Sequence, residues 1–448
     1  MDPVEEVRSS KGWIAVYGVG YVGLSLVAVY LRKGYRVIGV DIDEAKLEAI
    51  RSGRLWYGEE AIREAVRKGL EEDRLLLTTD SVGASRKSVI KVVTVPVYVD
   101  WLRKDYSFHA IRDVSEKIGR GLKKHDLVII ESSVPPGTTI NIVKPILEET
   151  SGLRVEEDFY LAYSPERVYI GRAVKDIEEN YPKVIGGIGP RSLDVASRFY
   201  EDIAVKGVLR MSSTTAAEFE KLAEGVYRDV NIALANELAQ AAMRLGIDYY
   251  EARMAANSQP YCHLHLPGPG VGGYCIPIYP YFLMNELLKK GYVMELTRLA
   301  RRINESMPSI VVGLVDEALR RRGVRPRMVK AAVLGLAFRG DIDDTRLSPS
   351  HDVVALLKAR GFKEIIVHDP YVRRDPVIEE LGIRITSDLG EALRGAGLVV
   401  VLTRHTIYRG LKTSMIKELS GGEPVIVDAI NYVENDTGYE KLVVLGKG

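Results

Sequence analysis

The chain has 448 residues, of which 46% are hydrophobic and 27% charged, the balance of a folded globular protein rather than a disordered one. At roughly 100–200 residues per domain, that length holds several domains. Lys plus Arg (62) against Asp plus Glu (61) leaves a net charge of +1, which excludes the broad basic surface that general nucleic-acid binding needs. The only two cysteines, Cys262 and Cys275, exclude a disulfide-framed secreted domain.

In chain order, the first apolar stretch runs from Trp13 to Leu31, with Lys11 before it and Arg32-Lys33 after it. It has the look of a short membrane span or anchor, but Gly18, Gly20 and Gly23 interrupt it at a spacing with another explanation. No other stretch approaches about 20 apolar residues, so a soluble, cytoplasmic protein is expected. Ile14–Tyr17, Tyr35–Val40, Ser88–Val95 and Leu127–Glu131 read as strands buried on both faces. Amphipathic stretches, Glu44–Ser52, Ala61–Leu70 and Phe108–Gly119, alternate with them. Such β-α alternation predicts a parallel, doubly wound sheet.

From Thr214 to Leu245 there is no Pro, one Gly and apolar residues at helical spacing, with Ser212, Ser213 and Thr214 as candidate N-caps and Gly246 as C-cap. This predicts one long helix bridging two domains and lying in a dimer face. A Pro- and Gly-rich loop, 257–280, follows, then further helix over Tyr292–Arg322. Strands return at Ala331–Leu336, Glu364–His368, Leu398–Thr403 and Pro424–Asp428. The expected fold class is α/β: two Rossmann-like doubly wound parallel-sheet domains (1–211 and 326–448) joined by the long helix and a helical central domain, 212–325. Glutamine occurs only at Gln240 and Gln259 while Arg, Lys and Glu abound, a composition that suits a thermophile.

Gly18-Val19-Gly20-Tyr21-Val22-Gly23 directly follows a predicted strand and opens a predicted helix. The first glycine permits the tight turn, the second the approach of a pyrophosphate and the third close helix–strand packing. Helix N-terminal amides then face the phosphates. Asp41 ends the next strand, placed for an adenosine ribose, and its charge would repel a 2′-phosphate, which favours NAD over NADP.

Other residues admit two readings. Cys275 ends Pro267–Tyr274, a run whose glycines suggest backbone packed against a ligand. Its thiol is either a nucleophile or an inert buried group. Cys262, His263, His265 and Cys275 resemble a metal set, but Cys275 lacks the near partner that zinc sites usually have. Glu218 and Lys221 read equally as site residues or as a solvated i,i+3 pair. Arg339 and Arg346 read as a phosphate clamp or a surface ion-pair cluster. His405 reads as surface.

Taken with Glu131–Thr139, Tyr163–Val168, Pro182–Gly187, Glu218–Glu237, Gly268–Cys275, Gly335–Gly340 and Asp343–Arg346, the glycine motif resembles the UDP-glucose/GDP-mannose dehydrogenase family over nearly the whole chain. Within it the motifs look most like the branch acting on UDP-N-acetyl-mannosamine. The resemblance implies an NAD-dependent oxidation of a nucleotide-sugar C6 alcohol to the uronate. It implies two hydride transfers through a Cys275 thioester, no nucleic-acid or membrane partner and a homodimer. Carried over by position, Cys275 is the nucleophile, Lys221 the acid/base or oxyanion stabiliser, Glu166 an acid/base or water-orienting group, and Ser133 lies near the nicotinamide. Cofactor-binding positions are Gly18, Gly20, Tyr21, Val22, Gly23, Asp41, Lys46, Thr94, Ser133 and Arg346. Substrate-binding positions are Arg167, Val168, Lys221, Arg228, His265, Gly270, Phe338 and Arg339. No metal is implied.

The chain departs from the family pattern at Gly225 (usually Asn), at Ile278 and Tyr279 (often Lys, then Asp), at Tyr261 (usually Arg) and at Ile430 (usually Arg). The missing Asp is the expected water activator. UDP-glucose or UDP-N-acetylglucosamine as substrate, or a weakly active or inactive paralogue that still binds NAD and a nucleotide-sugar, are the alternatives. A hydroxyacid dehydrogenase leaves the Cys loop and the C-terminal α/β domain unexplained.

Overall fold

A computed structural model describes residues 2–55, 57–100 and 104–448. The chain packs as two compact units that divide between Ala223 and Glu224.

In the N-terminal unit the strands are β1 Trp13–Tyr17, β2 Arg36–Val40, β3 Leu75–Thr78, β4 Ser88–Val93, a short antiparallel pair β5 Tyr98–Asp100 and β6 Asp105–Ser107, then β7 Leu127–Ile130, β8 Tyr160–Tyr163, β9 Lys183–Gly187 and β10 Val208–Met211. Eight of them form one sheet in the order β10-β9-β8-β7-β4-β1-β2-β3. All pairs are parallel except β8–β9, a departure from the all-parallel expectation. Strand order reverses between β1 and β4, and a ligand crevice lies at the carboxyl ends of such strands. Ile14, Val16, Ile90, Val92, Leu127 and Ile129 are fully buried in the core, as strands covered on both faces should be. The apolar run from Trp13 resolves into β1, the glycine turn and the helix Tyr21–Arg32. Among the described residues no helix is long and apolar enough to cross a membrane.

A short helix, Pro3–Arg8, precedes β1, with the Asp2 carboxylate capping it through the Val4 N–H. Val4 and Val7 are fully buried in the core. Arg8 pairs with Asp202, and Arg198 with Asp2, fastening the chain start to the helix Pro190–Glu201.

Thr214–Leu245 is one continuous helix, unbroken at Gly225. Helices Tyr249–Ala256, Tyr279–Leu288 and Glu295–Arg320 follow. The last corresponds to the expected Tyr292–Arg322, while Tyr279–Leu288 takes up residues just past the expected loop. The remaining strands are β11 Lys330–Leu334, β12 Glu364–His368, β13 Arg384–Thr386, β14 Ala396–Val401, β15 Leu411–Lys412, β16 Val425–Asp428, β17 Val433–Glu434 and β18 Leu442–Val444. Six make a parallel sheet, β13-β12-β11-β14-β16-β18. Its order around β11 and β14 repeats that around β1 and β4.

Candidate active site

At the end of β1, Gly18 has φ +92 and its N–H donates to Val40 O at 2.7 Å, a conformation that L side chains seldom adopt. A Cβ on Gly23 would meet Gly18 O at 1.9 Å, whereas one on Gly20 would meet nothing within 4 Å. So Gly23 serves helix–strand packing and Gly20 leaves space at the helix start, where no side chain caps the amides. Thr94, after β4, donates its hydroxyl to Gly18 O (2.7 Å) and Tyr17 O (3.0 Å), joining the two strand ends. Tyr21 donates to Glu59 and accepts from the Gly171 N–H. Val22 packs on the core.

Asp41 follows β2 and is 8% exposed. Its carboxylate accepts from Val19 N (3.1 Å), Asp43 N (3.1 Å) and Lys46 Nζ (2.9 Å). Lys46, the other residue expected at the cofactor, therefore neutralises part of that charge. These groups fit an NAD: an open glycine turn, uncapped helix amides for the pyrophosphate, and a carboxylate beyond them for the ribose.

Beyond β7 and β8 a buried polar cluster forms. Lys183 Nζ donates to Glu131 Oε2 (2.9 Å) and Glu166 Oε2 (2.5 Å). Tyr200 donates to Glu131, and the Tyr30 and Tyr200 hydroxyls meet at 3.3 Å. One ammonium serves two carboxylates, so burial, set against Lys183, pushes Glu131 up to about 7. Burial opposes the Lys183 charge, yet Glu131 and Glu166 hold its pKa above the ordinary lysine value. Glu166 Oε1 accepts the Arg167 N–H at 2.8 Å, so both oxygens are engaged. Lys221 Nζ donates to the Glu166 carbonyl at 2.5 Å. The structure thus brings Lys221 and Glu166 together. Arg167 reaches Pro182 O and lies 3.6 Å from Glu220. Val168 packs on the core, and Ser133 sits half-buried after β7.

Glu218 and Lys221 are not a solvated pair. Glu218 is fully buried and accepts from Gly137 N, Thr139 N (2.8 Å) and Thr139 Oγ1 (2.6 Å). It pins the Glu131–Thr139 loop, which carries Ser133, to the long helix. Burial, partly offset by Thr139 and Gly137, raises its pKa to about 7. Folding therefore favours the protonated carboxyl, a contribution present at acid pH and lost as pH rises through 7. The stability of Glu218→Gln relative to wild type should rise with pH between about 4.5 and 7, by up to about 3 kcal/mol, on top of a constant cost for an amide placed among three donors. Urea midpoints across that range test this; a difference that is flat or falls with pH would refute it.

In the C-terminal unit Cys275 is exposed and Cys262 half-buried. Cys275 O accepts from Ile278 N (3.1 Å) and Tyr279 N (3.0 Å), so the thiol opens the turn leading into helix Tyr279–Leu288. The glycines before it pack against protein, not only toward a ligand. A Cβ on Gly272 or Gly273 would lie under 3 Å from Phe338, and one on Gly270 3.1 Å from Pro349. Gly273 N donates to Arg346 O at 2.9 Å, and Arg346, paired to Asp344, lies over the Tyr274 ring at 5.2 Å. Asp344 foremost, with the charges of Cys275 and Tyr274 adding, raises the Arg346 pKa. Phe338, Arg339, Gly270, Arg346 and Cys275 therefore belong to one neighbourhood. His265 stacks edge-on to His263 and Tyr227, and burial, then His263 and the exposed Arg228, lowers its pKa. Among the described residues no group of three or more His, Cys, Asp or Glu is placed to hold a metal ion.

After β11 and β14 the glycine-turn geometry recurs. Gly335 N donates to His368 O (2.8 Å), and Thr403 Oγ1 donates to Ala337 O (2.7 Å). Asp369, the counterpart of Asp41, accepts from Leu336 N, Ala337 N, Tyr371 N and Val372 N and from His405 Nε2 at 3.0 Å. Against the cost of burial, His405 and these amides hold it at about 2. His405 is fully buried, contrary to the surface reading. Its Nδ1 accepts from Asp341 N at 3.0 Å, tethering the loop that bears Arg339 and Arg346.

The family's models match this chain in order: the NAD binding domain over residues 13–204, the central domain over 215–306 and the UDP binding domain over 332–435. The chain belongs to the UDP-glucose/GDP-mannose dehydrogenase family. A UDP-N-acetyl-D-mannosamine dehydrogenase of Pyrococcus horikoshii is 38% identical over 424 residues, 94% of this chain and 96% of the relative. A solved structure of UDP-D-ManNAc dehydrogenase from that organism superposes with TM-score 0.88 at 34% identity, covering 97% of this chain and 99% of the other. An NDP-N-acetyl-D-galactosaminuronic acid dehydrogenase from Methanosarcina mazei Go1 gives 0.84 at 32%, covering 100% and 98%. This dehydrogenase takes NAD in its N-terminal domain.

The positions expected to depart from the family pattern are mostly buried. Ile278, Tyr279 and Ile430 are at most 5% exposed, whereas Tyr261 is 96% exposed. Ile430 N donates to Asp428, whose carboxylate also takes Tyr432 N and Val433 N. Asp428 thus folds its own loop. The sequence does not show that Lys183 joins Glu131, or that Glu218, already a candidate, pins the loop after Glu131. The quoted motifs contain all three, but nothing in their spacing tells which carboxylate meets which donor.

Proposed function

We propose that this nucleotide-sugar dehydrogenase oxidises the C6 alcohol of UDP-N-acetyl-mannosamine to the uronate through a Cys275 thioester, in two hydride transfers. The observation that carries the reading is Cys275, an exposed thiol ending a glycine loop that is packed against Phe338 and tied to Arg346. The names of the relatives above support the sugar. Residues 1–211 would bind NAD, 212–325 carry the Cys loop and dimer face, and 326–448 bind the nucleotide-sugar. The family models' extents fall inside these limits. A cytoplasmic location suits such a substrate.

NAD would be held by the Gly18–Gly23 turn and Asp41, with Thr94 and Ser133 also expected at the cofactor and Arg346 assigned to it by the resemblance, and would supply the hydride acceptor. Lys221, steadied by the Glu166 carbonyl, takes the alcohol proton directly or through a held water as the first hydride leaves. Cys275 Sγ then bonds to C6 of the aldehyde. Loss of the second hydride, to a second NAD, gives the thioester. Water adds at C6, the C–S bond breaks, and the uronate and free thiol result. Arg167, Val168, Arg228, His265, Gly270, Phe338 and Arg339 would hold the nucleotide-sugar, with guanidinium forks on phosphate. The test is NADH formed per sugar consumed across UDP- and GDP-sugars; two per UDP-N-acetyl-mannosamine is expected, and none with any sugar would remove the reading.

Asp41 is expected to favour NAD over NADP by about 1–3 kcal/mol, tempered by Lys46. Titration showing equal or better NADP binding would refute it. The protein should also be a homodimer through the Ala-rich helix Thr214–Leu245, where Phe219, Tyr227 and Leu234 are at least 41% exposed. A monomer in sedimentation at micromolar protein would remove that claim.

A further inference from the structure

Gly225, Asp229 and Asn236 lie on one face of the long helix, because steps of four and seven residues return to nearly the same azimuth. Each meets a different part of the C-terminal unit. Asn236 Oδ1 accepts from Gly268 N at 2.9 Å, and its Nδ2 donates to Asn304 Oδ1 at 2.9 Å. Asp229 Oδ1 takes Asn304 Nδ2 (2.9 Å) and Arg301 Nη1 (2.7 Å). These bonds fix the start of the loop that ends in Cys275. At the other end the helix offers bare backbone: a Cβ on Gly225 would stand 2.4 Å from Tyr279 Cδ2, 3.0 Å from its Cβ and 3.2 Å from its Cγ. The ring therefore occupies the volume of any side chain at 225. Tyr279 is 5% exposed, and its N–H closes the turn onto Cys275 O. Ring, turn and thiol-bearing residue form one hydrogen-bonded unit.

We propose that Tyr279 is a positioning residue for Cys275: its ring, seated on Gly225, sets the turn that presents the thiol, and the two residues act as a pair. The contact that carries the role is the ring against Gly225. The proposal rests on Cys275 as nucleophile, but its first test needs no substrate. The rate of iodoacetamide alkylation at Cys275, read by peptide mass mapping, should change about fivefold or more in Gly225→Ala and in Tyr279→Ala. It should change no further when the two are combined, since a residue pair in contact is non-additive. NADH formation in the first turnover should follow the same pattern, with NAD affinity and the unfolding midpoint reporting that the variants are folded. Wild-type alkylation in Gly225→Ala, or effects that multiply independently, would each overturn the pairing. Coupled alkylation without NADH from any nucleotide-sugar would instead overturn the dehydrogenase reading and leave the pairing standing.

Discussion

Cys275→Ala is expected to abolish conversion of the sugar to the acid. Without Sγ no covalent bond to C6 forms, and the aldehyde of the first oxidation has no route to a thioester. The alanine removes one exposed thiol from a turn whose hydrogen bonds are backbone to backbone, so folding and NAD binding should persist. The expected signature is an intact protein that binds NAD and yields no uronate by mass spectrometry. Full acid production by this variant would sink the nucleophile assignment.

The second expected result is a burst of two NADH per site followed by slow turnover, with a sugar adduct on Cys275 visible by mass spectrometry. Hydrolysis of a thioester needs an oriented, deprotonating water, and a well-placed base contributes about 10²–10⁴-fold. The resemblance implies a carboxylate at the position of Tyr279, and a phenol is a poor base at neutral pH. Glu166 is an unready substitute: Oε2 is bound by Lys183 and Oε1 by its own loop's Arg167 N–H. Tyr279→Asp alone would vacate a ring's volume over Gly225. The paired change Gly225→Asn with Tyr279→Asp refills it and should speed the slow phase by about 10²-fold or more. Rapid wild-type turnover with no adduct would show that Tyr279 is no handicap.

Much of this was legible in the sequence because it rests on local signals. Glycines at 18, 20 and 23 declare a turn between strand and helix, and a Pro-free run with caps declares Thr214–Leu245. What stayed hidden depends on distant partners. The antiparallel β8–β9 pair has no local signature, since Lys183–Gly187 is buried throughout whichever way it runs. Glu218 reads equally as a site residue or as half of a solvated pair until Gly137 and Thr139, some 80 positions away, are seen to point at it. His405 reads as surface because one histidine after a strand is uninformative; its burial follows from Asp369 and Asp341. Gly225 and Tyr279 read as two separate losses, and only their contact makes them one exchange.

The helix Pro3–Arg8 has a consequence for biosynthesis. Its ion pairs join residues 194 and 196 positions apart, and Val4 and Val7 enter a core shared with Phe199 and Ile203. A ribosome adding roughly 5–20 residues per second needs about 10–40 seconds to deliver those partners. Until then Val4 and Val7 have no core to enter, and loop closure over so long a span is slow. The segment Pro3–Arg8 therefore settles only after Arg198, Phe199, Asp202 and Ile203 have been made. For that time it is open to chaperones and to other nascent chains.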